Sequence, residues 1–157
     1  MLDELASRVA ELKRNRQALD AFVSELTEEQ WQLPLGQERY SARQTVAHLA
    51  GADKSMTRMA QNWIAGVNNQ IRPDFDLNYF NARQQEKRAH LTNDELVEEW
   101  HAAQNALIAF FEEVKQEDLD KRGDHPRARN IPLRRLFEIV TEHEAEHIQQ
   151  LVDGFQV

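Results

Sequence analysis

Apolar residues recur at spacings of three and four in four long stretches of this 157-residue chain, and that pattern restricts its fold most. In the first stretch, Leu2, Leu5, Val9, Leu12, Leu19, Val23 and Leu26 form one stripe, interrupted by Arg16. The stripe predicts a helix of about seven turns. Thr27–Gln30, Ser41–Gln44 and Thr92–Glu95 each have the form of a capping box, in which two side chains close the first turn of a helix reciprocally. The first box opens a short turn carrying Trp31, after which Pro34 and Gly36 break the chain. The second opens a helix through Val46, His48, Leu49, Met56, Met59, Trp63 and Ile64, ending near Gly66. The third opens a helix through Leu96, Trp100, Ala103, Leu107, Phe110 and Val114.

Between these helices, 67–76 reads as a long loop and Leu77 to His90 as a polar helix. Ile71 to Tyr79 is the best strand candidate, but Pro73 and its charges spoil it. Gly123, Pro126 and Pro132 mark another loop, with Asn130 as a cap and Pro132 in the first turn of the last helix. The expectation is one all-α domain over 1–157, a four-helix bundle with an additional short helix in the crossover region.

The chain has no cysteine, which excludes disulfides, thiolate ligands and a cysteine nucleophile. Its 27 acids against 19 bases give a net charge of −8, which argues against a nucleic-acid partner. The densest basic group, Lys121, Arg122, Arg127 and Arg129, reads as a solvated loop. There is no run of ~20 apolar residues and no basic-then-apolar leader, so no membrane partner and a cytoplasmic location are expected.

The last amphipathic stretch, LRRLFEIVTEHEAEHIQQLV, carries the chemistry. Leu133, Leu136 and Val140 lie at inward heptad positions, and the next two such positions hold His143 and His147. Two imidazoles one turn apart lie on one helical face and can chelate a divalent ion. The string HEAEH is formally H-E-x-x-H, which raises a zinc-protease reading with Glu144 as base. Only ten residues follow His147, so a downstream third ligand and its usual motif are missing. The third ligand is then expected upstream, and His48, bordering the apolar arc near Ala52, Met56 and Met59, is the best candidate. The other histidines, His90, His101 and His125, all read as structural or solvated, with an approach of His125 to the site as the alternative. Met56, Met59 and Trp63 read as bundle core, with an apolar pocket beside His48 as the alternative. Arg43 and Arg134 read as solvated helix residues, with anion binding at the site mouth as the alternative.

YSARQTVAHLAGAD opening one helix, EHEAEH in the last, and the turns TEEQWQLP and TNDELVEEW together resemble the DinB-like superfamily over nearly the whole chain. Tyr40 stands where many members have tryptophan. The resemblance implies a metal-binding four-helix bundle, often a homodimer, with His48, His143 and His147 as ligands. It also implies relatives that are bacillithiol- or mycothiol-dependent S-transferases and isomerases. Three protein ligands leave a coordination position open, as in catalytic sites. Zinc, nickel, ferrous or manganous ions all suit imidazole. The expected activity is a small-molecule S-transferase using a low-molecular-weight thiol. The alternatives are a metal-dependent hydrolase and a non-catalytic metal-binding stress-response protein. Glu144 is expected either as a proton acceptor or ligand support, or as a helix-surface carboxylate.

Overall fold

The capping boxes place the helix starts where the sequence puts them. In the computed structural model, which describes residues 1–35 and 40–155, the side chains of Thr27, Ser41 and Thr92 each accept from the backbone N–H three residues on, and their own backbone N–H groups donate to that residue's side chain. They open α2 (Glu28–Trp31), α3 (Ala42–Ala65) and α5 (Asn93–Glu113), while α1 spans Asp3–Ser24. Gly66, at φ 72°, adopts the left-handed conformation that ends α3 and that glycine alone takes without strain. Asp76 caps the polar helix α4 (Leu77–Arg88), and α6 runs from Leu133 to Phe155. Gly36, read as a chain break, lies outside the described residues.

Helices α1 and α3 each pack against both α5 and α6, so the four long helices enclose one interior. Leu12, Leu107, Phe111 and Phe137 are buried in one half of it, and Leu19, Leu49, Leu96 and Trp100 in the other. Arg16, the break in the first stripe, reaches across to Gln104, Asn105 and the His101 carbonyl on α5. α4 lies on α3, against which Gly51 leaves room: an added Cβ would meet Gln84 Oε1 at 3.1 Å and Arg88 Nη1 at 3.2 Å. Among the described residues no helix is long and apolar enough to cross a membrane.

The expected loop before α6 contains an antiparallel hairpin, β1 (Arg122–His125) and β2 (Ala128–Pro132). Its strands are short and polar, so alternation gives no signal. What stabilises it is tertiary: Asp124 accepts from the backbone N–H groups of Ile71 and Asn130, and its own N–H donates to the Asn69 carbonyl. Asn130 is therefore a strand residue at φ 51°, not the cap of α6. Gly123 lies on the Trp63 indole so closely that a Cβ would come within 2.1 Å of it. The hairpin, the 67–76 loop and α4 thus form one wall beside the bundle.

Candidate metal centre

His48 on α3 meets His143 and His147 on α6. The Nε2 atoms of His48 and His143 are 3.0 Å apart, and those of His147 and His143 are 3.1 Å apart. One ligand atom from each ring lies within 4.8 Å of those of the other two. Nitrogens bound to one ion at ~2.0–2.1 Å lie roughly 3.0–3.4 Å apart at bond angles between octahedral and tetrahedral. The observed contacts fit that range. Neutral imidazoles also fit it chemically. His143 Nε2 cannot donate its single proton to both neighbours, whereas a cation accepts all three lone pairs.

The environment keeps these rings uncharged. Burial and the neighbouring His147 lower His48 to about 4. Burial, with His147 and His48 beside it, lowers His143 to about 3. Burial, followed by the Arg127 charge, also lowers His147. Tyr40 tilts against His48 with ring centroids 5.4 Å apart and stacks on His147 at 6.3 Å, and burial raises its hydroxyl pKa.

The inward stripe of α6 does not run through the histidines. It continues from Val140 through Glu144, Ile148 and Leu151, all buried, while His143 and His147 are half-buried on the flank facing α3. Glu144, 0 % exposed, is not a helix-surface carboxylate. It accepts from Asn15 Nδ2 at 3.1 Å, Gln104 Nε2 at 3.1 and 3.2 Å, and Trp100 Nε1 at 3.3 Å. Trp100 Nε1 also donates to Asp53 Oδ2 at 3.1 Å. Burial, and the Glu144 carboxyl to which it hydrogen-bonds, hold Asp53 well above the usual carboxylate range. The signal for this network was present in the sequence. Leu49, Asp53, Met56 and Ala60 follow inward helical spacing, as do Val140, Glu144, Ile148 and Leu151.

A cleft of about 1210 Å³ opens onto His48 and His143. Met56 and Met59 line it, whereas Trp63 is core beneath Gly123. The hairpin supplies His125 and Arg127 to the wall, and loop 67–76 and α4 supply Phe75 and Phe80. His125 is buried and belongs to this cleft, outside the three-ring cluster. Asn81, Arg127 and His48 also border a smaller cavity of about 180 Å³ next to Tyr40 and His147. Arg43 instead binds Asn93 and the carbonyls closing α4, and Arg134 pairs with Glu4 and Asp120. His101 bonds Asp20 at 2.7 Å, and His90 is exposed.

The family model of the DinB superfamily matches residues 11–151. No curated protein sequence matches the chain. Among solved structures, YfiT from Bacillus subtilis, described as a probable metal-dependent hydrolase with a four-helix bundle, superposes with TM-score 0.80 at 16% identity, covering 99% of this chain and 89% of that one. The mycothiol-dependent maleylpyruvate isomerase superposes with TM-score 0.77 at 12% identity, over 96% of this chain but 63% of that one. An uncharacterized protein from Clostridium difficile 630 gives 0.78 at 11% identity, over 100% and 98% of the two chains. At these identities the structural likeness establishes the four-helix bundle fold.

Proposed function

The chain belongs to the DinB superfamily, and from that premise we propose that it is a divalent-metal-dependent enzyme, with His48, His143 and His147 as ligands, that transfers a small thiol to a second substrate. The observation that carries this reading is the convergence of three Nε2 atoms at the edge of a cleft of about 1210 Å³. An ion held there would act as a Lewis acid, favouring the anionic form of a thiol or water at its open face. Depressed pKa values keep the histidine lone pairs available at neutral pH. The cleft exceeds the ~300–1,000 Å³ typical of sites for one drug-sized ligand, which suits a thiol together with its acceptor. The absence of cysteine fits a nucleophile supplied from outside.

Asp53 and Glu144 act in this reading through position. Their network fixes the rotation of α6 against α3, α5 and α1, and thereby the direction in which His143 and His147 point. The ion is zinc, nickel, iron or manganese. The homodimer is supported by the family resemblance alone, and the cytoplasmic location by the lack of a long apolar run. The second reading, a metal-dependent hydrolase, is favoured by the small polar cavity of about 180 Å³ beside His48 and His147, room for a few waters, and by the description of YfiT.

The test is turnover of an electrophile such as monobromobimane by metal-loaded protein, with and without a panel of small thiols including bacillithiol and mycothiol. Transfer above the uncatalysed rate, lost at least 100-fold in His48→Ala, supports the transferase. Hydrolysis of an ester panel at a rate indifferent to thiol supports the hydrolase instead. Activity retained in His48→Ala removes the centre from the chemistry.

A further inference from the structure

The chain is acidic overall, yet the cleft beside the histidine centre is not. Its lining includes six lysines and arginines against four acids, where the whole chain has 19 against 27. Several of these charges are already used. Arg88 pairs with Glu99, Arg135 pairs with Glu142, and Asp124 is occupied by backbone N–H groups. Arg127 is different. Among the described residues the side chains of Lys54, Arg58, Lys87 and Arg127 make no hydrogen bond or ion pair, and of these four Arg127 alone borders both cavities, together with His48 and Asn81. Its charge also lowers the pKa of His48, His125, His143 and His147, so it lies within electrostatic reach of all four rings.

His125 supplies a second polar group at the same hairpin tip. Its Nδ1 accepts from the backbone N–H of Arg127 at 3.1 Å. Burial lowers its pKa to about 4, so the neutral ring carries its proton on Nε2 as a donor. The two-residue turn Pro126–Arg127 thereby brings an unpaired cation and an oriented N–H donor into the lining of one cleft. Met56, Met59, Phe75 and Phe80 give the same cleft an apolar surface.

We propose that the cleft selects an amphipathic organic carboxylate, bound through its two oxygens to Arg127 and His125 at the hairpin tip, with its apolar body on Met56, Met59, Phe75 and Phe80. One guanidinium and one N–H at the hairpin tip match the two oxygens of a carboxylate. The assignment rests on the reading that the histidine centre is the reacting site, because it makes Arg127 the group that orients the acceptor substrate toward that centre. Arg127 is a specificity residue here, exposed at a hairpin tip, so its replacement leaves the bundle intact.

The test is calorimetric titration of metal-loaded and metal-stripped protein with phenylbutyrate, phenylbutyramide and phenylpropyl phosphate, with metal content measured on each sample. The carboxylate is expected to bind about tenfold or more tightly than the amide in both samples, since a charge-assisted hydrogen bond is worth about that factor. Arg127→Gln should bring the carboxylate level with the amide, leaving amide affinity and metal content unchanged. His125→Phe should weaken the carboxylate about threefold to tenfold. Equal binding of carboxylate and amide, no carboxylate binding, undiminished binding in Arg127→Gln, or a preference for the phosphate would each overturn the proposal. Failure of the metal reading shows separately, as protein without metal whose stripped form still prefers the carboxylate.

Discussion

A histidine whose pKa sits at about 3 or about 4 in the folded chain resists protonation that the unfolded chain accepts near 6.5. The unfolded state therefore takes up protons first as pH falls. Stability conferred by the neutral rings is complete above about 6.5 and is lost on descent toward the folded values. Urea denaturation of metal-stripped protein should show stability falling between pH about 6.5 and about 4, with a shallower fall in His143→Ala. Equal slopes would contradict the assigned burial. Asp53 has the opposite sign. Its folded pKa is raised, so its contribution is full below the ordinary value of about 4 and declines as pH rises toward the folded one. Asp53→Asn keeps the acceptor for Trp100 and a donor for Glu144 without titrating. It should raise the neutral-pH melting midpoint by a few degrees, about what 1 kcal/mol gives in a domain of this size. A lowered midpoint would contradict the raised pKa of Asp53. The convergence of His48, His143 and His147 was legible because imidazole is costly on a packing flank and the spacing of four is geometric. Glu144 was misplaced because the positions three and four after Val140 both lie near the inward face, and the heptad reading took the step of three to His143. Counted from Val140 by fours, the stripe reaches Glu144 and Ile148, and the histidines fall beside it.

Among elements, the helices declared their own boundaries and the hairpin did not. Three capping boxes and the Gly66 stop are local chemistry, complete within four or five residues. The hairpin depends on partners roughly 50–60 residues away, since Asp124 takes the Ile71 N–H and only glycine at 123 fits against Trp63. Short polar strands without alternation leave such a contact invisible to a sequence reading. The basic group read as a solvated loop changes meaning for the same reason, because folding over the cleft brings Arg127 beside the histidines. Gly123→Ala tests this dependence. A Cβ within 2.1 Å of the indole must displace hairpin or Trp63, costing about 1–3 kcal/mol by overpacking. The expected readout is a lower melting midpoint and altered tryptophan fluorescence, with the metal content of the bundle centre retained. An unchanged midpoint would mean that the hairpin does not rest on Trp63.

For the whole molecule, the bundle and the wall divide the labour. The bundle brings α3 and α6 together and so sets the distances between the three rings, while α4, loop 67–76 and the hairpin enclose the cleft that faces them. Metal binding should then stabilise the folded chain by linkage, since the unfolded chain cannot assemble rings separated by 95 residues. The bundle was legible because its packing stripes lie along continuous helices. The cleft was not, because it is formed by segments whose arrangement only the folded chain defines. The most direct measurement is metal stoichiometry of purified protein and of His48→Ala and His143→Ala, reconstituted with zinc and analysed by atomic emission after dialysis. A metal centre on these three histidines requires about one ion per chain in the parent, at least tenfold less in each variant, and a melting midpoint that rises with zinc only in the parent. Equal metal content in all three proteins would contradict it.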